Sequence, residues 1–378
     1  MITPRDLVAL SIETLRLAAP YAFNYNAYMD ALQLFSPMIE YIEGEEYIIP
    51  IDFDLVKDRY TLRQFKDYNL LQTVENDNSI HERFYVKGRL YSIIDEFQLD
   101  LSNYVKFVGK PISEYMYKDL ESEIKNMIKR KINLLVDKFY NTLLYIFKQI
   151  LENNTVVIDG NVLNIPFIDS SGNVRPRIDL STLINPNFSS TSVNPEDELL
   201  KARDIIKTQP YILEIKPERY IVLMGRNAWF KFKNNPNIVN KMTYWALHME
   251  QDLRRIKVEK YKNNLLEKVL SIEDIDIYVQ DEGFKLKVNG NNIPFINPDS
   301  LYVIAVIPNN FVIPYNTGNY FINETPVIFR ENRKFVEIVD ITPQTADNIV
   351  SLRTYKVLGN ISMNCLFTHS IGYVNTIS

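Results

Sequence analysis

Three histidines, His81, His248 and His369, and one cysteine, Cys365, are all the imidazole and thiol chemistry in the 378 residues. Zinc-binding histidines stand in pairs such as HExxH on one helix face, and structural zinc sites gather several cysteines. These histidines fall in unrelated segments, and one cysteine builds neither a zinc site nor an intrachain disulfide. His81 and His369 lie in strand-like runs and His248 in a helical one, so each reads as a structural side chain. Cys365 reads as a buried thiol in the apolar run 363–367. Val108-Gly109-Lys110-Pro111 lacks the upstream glycine of a phosphate loop and places proline after the lysine. Neither G-x-G-x-x-G nor G-x-S-x-G occurs.

Carboxylate pairs such as Glu45 and Glu46, or Asp274 and Asp276, have the composition for acid-base work, yet nothing around them separates them from solvated surface charge. Lys125, Lys129, Arg130 and Lys131 form a basic cluster that would touch phosphates if it lined a DNA-filled compartment. Glu121 and Glu123 at helical spacing balance the same cluster as a solvated face. The expectation is a chain with no catalytic residue, no cofactor and no metal site.

The elements that must position these residues follow from composition and pattern. Hydrophobic residues make up 46% and charged residues 24%, the balance of a folded chain with about two compact units at this length. The 42 basic and 47 acidic side chains leave a net charge of −5, so bulk electrostatics does not predict nucleic-acid binding. The first twenty residues lack the basic start and unbroken apolar stretch of a signal peptide, and no window of about 18 apolar residues occurs. The expected product is soluble and intracellular, without a membrane partner.

Thr3-Pro4-Arg5-Asp6 reads as a helix start, Thr3 capping and Pro4 in the first turn, with Leu7, Leu10, Ile12 and Leu15 following. Pro20 and Pro37 are expected to break the aromatic stretch after it. Ile48 to Phe53 and His81 to Phe97 suggest a long hairpin around Asn76-Asp77-Asn78-Ser79, too poorly supported to stand alone. The strongest signal is the apolar line Ile112, Met116, Leu120, Ile124, Ile128, Ile132, continued by Leu135, Val136, Phe139, Leu143, Phe147 and Ile150. It predicts one amphipathic helix over 112–152, roughly 60 Å long. Early acidic and later basic residues match the helix dipole.

A hairpin around Asp159-Gly160, a polar loop over 170–192, a capped helix at Asn194-Pro195 and a buried strand at Arg219 to Met224 come next. An aromatic helix with Trp229 and Phe230, and another opened by Asn235-Pro236, follow. Strands dominate from Asp276: 277–280, 284–288, 301–307, 327–330, 335–341 and 352–373. Gly160 to Asp169 is echoed by Gly290 to Asn297, which we read as a recurring turn-plus-strand solution.

Three stretches carry a family likeness. Val193-Asn194-Pro195-Glu196-Asp197-Glu198-Leu199-Leu200 resembles the Asp-Pro-x-x-Asp-Ile helix start of one capsid-protein branch. Arg219 to Phe232, through Gly225, Arg226 and Ala228-Trp229-Phe230, resembles its following strand and Trp-bearing helix. Ile296-Asn297-Pro298-Asp299-Ser300-Leu301-Tyr302-Val303 resembles its late Pro-Asp turn into a core strand. Together with the order of parts, these resemble the Hong Kong 97-type major capsid proteins of tailed phages, in the lambda E-like branch.

The resemblance implies an α+β fold with a long spine helix, peripheral and axial domains, an extended hairpin loop and an N-terminal arm. The domains expected are an arm over 1–45, the hairpin loop over 46–100 and a peripheral domain over 101–193 with the spine helix at 112–152. An axial domain over 194–330 and C-terminal strands over 331–378, returning to the peripheral domain, complete the chain. It also implies a non-enzymatic virion protein that self-assembles into hexamers and pentamers of an icosahedral or prolate shell around double-stranded DNA. Portal, scaffold and decoration proteins would be partners, the DNA would be met by non-specific proximity, and assembly would occur in the host cytoplasm. Lys125, Lys129, Arg130 and Lys131 would face the lumen, and Asn76, Asp77, Asn78, His81 and Arg83 would lie in an inter-subunit loop. An encapsulin-like compartment, a Tyr-rich β module of a tail or appendage, and a carboxylate-pair hydrolase are the competing readings.

Overall fold

Thr3 and Asp6 close a reciprocal cap: the Thr3 amide donates to Asp6 Oδ2 at 2.7 Å and the Asp6 amide to Thr3 Oγ1 at 3.2 Å. The helix they start, α1 (Pro4–Asn24), runs through Pro20 rather than breaking there. Ala18, Ala19, Ala22 and Phe23 around it are buried in the main core, and that packing outweighs the roughly 3 kcal/mol a proline costs a helix interior. The computed structural model describes residues 3–24, 31–43, 46–49, 84–87, 91–101, 114–153, 156–158, 161–164, 177–240, 266–280, 283–316, 327–330, 336–342, 352–361, 363–365 and 368–378.

Strands β1 (Ile39–Glu43), β2 (Glu46–Ile49), β3 (Phe84–Lys87) and β4 (Tyr91–Asp100) precede the long helix α2 (Glu114–Asn153). Strands β2 and β3 pair antiparallel; Asn76, Asp77, Asn78, His81 and Arg83, expected in the inter-subunit loop, lie outside the described residues. After α2 come the hairpin β5 (Val156–Ile158) and β6 (Asn161–Asn164), then β7 (Ile178–Asp179). Helices α3 (Pro195–Lys207) and α4 (Pro210–Ile215), strand β8 (Tyr220–Met224) and helix α5 (Arg226–Asn234) follow. Residues 236–240 are helical.

The remaining elements are strands: β9 (Leu266–Ile272), β10 (Ile275–Gln280), β11 (Leu286–Val288), β12 (Asn291–Ile293), β13 (Leu301–Ala305) and β14 (Phe311–Asn316). Then come β15 (Val327–Arg330), β16 (Val336–Asp340), β17 (Leu352–Ile361), β18 (Asn364–Cys365) and β19 (Ile371–Val374).

Two sheets organise these strands. One has seven strands, with β4, β14 and β16 all pairing to β17. The other has six, ordered β7-β19-β13-β8-β10-β9. Every residue of β8 and β13 is buried, because the six-stranded sheet is covered on both faces. Tyr220, Val222 and Met224 face the helix side with Leu199, Ile206 and Phe232. Ile221 and Leu223 face the main core with α2. A strand buried on both faces must be apolar throughout, which is how Arg219 to Met224 reads.

Helix α2 runs for 40 residues, as one rod. Its stripe is buried from Ile124 onward, and its second half is enclosed almost all round, Leu143, Leu144, Ile146, Phe147, Ile150 and Leu151 each at most 3% exposed. Phe147 meets Phe35 at 4.5 Å and Phe311 at 4.9 Å between ring centroids. The start of the stripe is different: Met116 is 41% exposed.

The strands from β14 onward divide between the two sheets. Strands β14 and β15, expected in the axial unit over 194–330, pair in the seven-stranded sheet. Strand β19, expected to return beside the spine with 331–378, pairs with β13 and β7 in the six-stranded sheet. The 3-10 turn Thr368–Ser370 carries the chain from one sheet to the other, and it holds His369, which was expected in a strand. The polar loop over 170–192 is, from 177 on, anchored by Leu180, Ile184 and Phe188 in the second core. The N-terminal segment, read as an arm against something else, packs on its own chain: Phe23 stacks on Phe329 at 5.5 Å, and Ser11 Oγ lies 3.0 Å from Tyr355 Oη.

Candidate assembly surface

The three stretches that carry the family likeness converge on the six-stranded sheet. Strand β8 pairs antiparallel with β13, Met224 opposite Leu301, so the turn after β8 meets the turn before β13. There the Gly225 amide donates to Ser300 O at 2.8 Å and the Ala228 amide to Pro298 O at 3.1 Å. A Cβ on Gly225 would stand 2.1 Å from Asn297 O and 2.3 Å from Pro298 O, so only glycine fits. Val193 and Leu199, from the stretch Val193 to Leu200, are buried in the same core. Asn235 fastens the 186–193 loop to it, Nδ2 donating to Phe188 O and Ser190 O at 2.9 Å and to Val193 O at 3.1 Å.

The carboxylate pair Asp274 and Asp276 is neutralised rather than poised for catalysis. Asp276 is buried and receives Ser271 Oγ at 2.6 Å, Lys268 Nζ at 2.7 Å and the Arg219 guanidinium. Burial alone would raise its pKa; hydrogen bonds from Lys268 and Ser271 and the Arg219 charge outweigh it and hold the carboxyl below its usual value. Asp274 lies 2.6 Å from Arg203, as does Glu273, and Asp204 is 3.0 Å away. Burial would lower the Arg203 pKa, but these three carboxylates push it up. Burial and the Asp274 charge push the Tyr220 hydroxyl up to about 12. Glu45 and the Glu46 side chain lie outside the described residues.

Arg177, absent from the sequence reading, joins the end of α2 to the six-stranded sheet. Its guanidinium donates to the Leu151 and Glu152 carbonyls at the end of α2, where unpaired carbonyls concentrate negative charge. It also lies 4.1 Å over the Tyr373 ring on β19. Burial lowers its pKa, opposed by the nearby Tyr302, Tyr373, Glu152 and Asp179 groups. The only sequence signal was its position beyond a helix lacking a basic last turn.

The four basic residues of α2 do not form one face. Lys125 and Lys129 lie within about 40° on the helix, while Arg130 and Lys131 are turned roughly 140° and 240° from Lys125. Lys125 is paired with Glu121, whose hydrogen bond raises its pKa. Lys129 and Arg130 are exposed. Lys131 is exposed beside β4, lining a groove with Glu96, Leu134 and Lys138, the last of which bridges to Asp95 at 2.5 Å.

Large apolar side chains stand on the surface: Leu17, Tyr21, Met116, Tyr117 and Leu134 on α1 and α2, and Leu213, Ile215, Phe230 and Val239 on the helix side of the six-stranded sheet. Exposed apolar surface of this kind suits association with other chains. Among the described residues, no group of three or more His, Cys, Asp or Glu is placed to hold a metal, and no helix is long and apolar enough to cross a membrane.

The family model for phage major capsid protein E matches residues 91–338, about two-thirds of the chain. The chain belongs to the phage major capsid protein E family. The match begins at β4, runs through all of α2 and reaches β16, so it takes in strands of both sheets. Among solved structures, the chain is similar to a phage-related protein from Bordetella bronchiseptica RB50, at 9% identity over 95% of each chain with a TM-score of 0.47. It is similar to a structure from Mycobacterium phage Patience, at 9% identity over 96% of this chain and 90% of that one, TM-score 0.46. It is also similar to the Cyanophage A-1(L) capsid asymmetric unit, at 11% identity over 92% of each, TM-score 0.45. No curated protein matches the sequence.

Membership of the capsid protein E family makes this chain a structural, non-enzymatic component of the virion that self-associates into a shell. The appendage-module and hydrolase readings are thereby set aside.

Proposed function

We propose that this capsid protein assembles as hexamers and pentamers into a closed icosahedral or prolate shell around double-stranded DNA, in a Hong Kong 97-type arrangement. The observation carrying the proposal is the family match across the long helix and both sheets. In this reading α2 is the spine of a peripheral domain with the seven-stranded sheet, and the six-stranded sheet with α3, α4 and α5 is the axial domain. The hairpin based on β2 and β3 extends over a neighbour, with Asn76, Asp77, Asn78, His81 and Arg83 near its tip. The exposed Met116, Tyr117 and Leu134 support burial of α2 against neighbouring copies. Of the basic residues Lys125, Lys129, Arg130 and Lys131, those on one side of α2 face the lumen and meet DNA by proximity. Portal, scaffold and decoration proteins are further partners, and assembly takes place in the host cytoplasm.

Negative-stain microscopy of the chain, produced alone and with its neighbouring genes, tests the proposal. Closed particles that contain DNA when packaging proteins are present are the expected result. A protein that stays small under all these conditions refutes the shell, and particles that enclose protein instead of DNA refute the genome-container part.

A further inference from the structure

The axial unit has two ends of opposite chemistry. Strand β8 begins where the Tyr220 amide donates to Asp274 O at 2.8 Å and ends at the turn into α5, roughly 13 Å of strand rise away. At the first end Arg203 is inside, its side chain 14% exposed, while Glu273 and Asp204 around it are 61% and 57% exposed. The charge turned to solvent by this cluster is therefore negative. The exposed Leu213 and Ile215 of α4 lie between α3 and the start of β8, at the same end.

At the other end, residues 226–240 carry three cations and no carboxylate; one of them, Lys231, is paired with Asp299 at 3.2 Å, so the outward positive charge rests on Arg226 and Lys233. Lys233 Nζ stands 4.1 Å and the Arg226 guanidinium 5.6 Å from the centroid of the Phe230 ring, and Phe230 and Val239 are exposed. Lys207 and Lys216 stand exposed near the acidic end, so the match there depends on the outward carboxylates of Asp204 and Glu273.

We infer that the acidic, Leu213-bearing end of the axial unit docks on the basic, Phe230-bearing α5 end of a second copy of this chain. Like ends carry like charge and repel, so the contact is heterologous, and a heterologous contact that closes makes a ring. This inference rests on the shell proposed above and names the surface that closes its rings. A nucleic acid is the other occupant that two cations beside an exposed aromatic ring would accept, but an apolar and acidic patch at the opposite end has no role with it.

The test is charge reversal in the full chain: Asp204→Lys with Glu273→Lys, Arg226→Glu with Lys233→Glu, and all four together. Each paired reversal is expected to cut the yield of closed particles about tenfold or more, as like charges across an interface do, and the fourfold variant to restore it. Circular dichroism of the unassembled subunit checks folding. If a reversal unfolds it, Asp204→Asn with Glu273→Gln, or Arg226→Gln with Lys233→Gln, replaces it, with the loss read as a raised protein concentration for assembly. Paired variants that assemble like the parent, or a fourfold variant as poor as either pair, overturn the inference. So do normal particles that have merely lost nucleic acid in the α5 variant. In each of these cases the parent still forms shells, so the shell proposal stands or falls separately.

Discussion

Replacing Gly225 by alanine tests whether the β8–α5 turn is built on close backbone approach. Its φ of −65° and ψ of 156° suit alanine, and at such a position Gly→Ala ordinarily stabilises by about 0.4–1 kcal/mol through the unfolded chain. Here the added Cβ would stand 2.1 Å from Asn297 O and 2.3 Å from Pro298 O, over 1 Å inside the roughly 3.3 Å at which carbon meets oxygen. Both atoms are backbone, so the two turns must separate. Separation weakens the Gly225–Ser300 and Ala228–Pro298 hydrogen bonds, each worth about 1 kcal/mol net, on top of about 1–3 kcal/mol of overpacking. The sum is roughly 3–5 kcal/mol, or a fall in Tm of about 6–15 °C at two to three degrees per kcal/mol. Thermal unfolding of the subunit, followed by fluorescence of Trp229, which stacks on Phe232 at 5.5 Å four residues beyond the turn, reads it. Gly290→Asn is the control, since its φ of +80° faces open space and Asn tolerates that conformation. A G225A Tm equal to or above the parent's refutes the close-approach argument.

Phe147→Ala empties a fully buried position between Phe35, Phe295 and Phe311 and is expected to cost about 3–5 kcal/mol in denaturant unfolding. Arg177→Met removes two charged donors from the end of α2 and should cost about 2–4 kcal/mol, with amide exchange accelerated at the 148–153 turn; unchanged exchange there would contradict the clamp. Because the Asp276 carboxyl is held below its ordinary value, the folded state binds its proton less readily than the unfolded chain. Its stabilisation is therefore complete above about pH 5 and is lost as pH falls below 4 through the folded value. Asp276→Asn should flatten the acid limb of the stability profile, and an unchanged limb would count against the network. Asn235→Ala, which leaves three loop carbonyls without their donor, two of them buried, should destabilise by about 2–4 kcal/mol and make the 186–193 loop sensitive to protease.

The reading of elements succeeded where neighbours in sequence decide the outcome. Asn289-Gly290 turns β11 into β12 with φ of 48° and 80°, the two-residue turn an Asn-Gly pair prefers. The Asn194-Pro195 helix start holds because proline fits the first helical turn and Glu196, Asp197 and Glu198 place negative charge at its positive end, but Asn194 makes no side-chain cap hydrogen bond and donates Nδ2 to Asp197 Oδ2 at 2.7 Å instead. Pro20 misled because its local cost is overruled by burial of the flanking alanines and Phe23. The candidate site was less legible: residue type identified Lys125, Lys129, Arg130 and Lys131 as basic, but their angular spread and the Lys125–Glu121 pair separate them.

From its sequence alone this protein determined its rod, its helix starts, its hairpin turns and its both-sides-buried strand, because each depends on periodicity or on backbone preferences within a few residues. The tertiary structure alone decided which sheet takes β14, β15 and β19, why Gly225 must lack a side chain, and that Arg177 ties the end of α2 to β19. Those outcomes are set by pairing between segments far apart in the chain, such as β4 with β17 and β7 with β19, where many apolar strands are equally suited locally and only mutual burial selects among them.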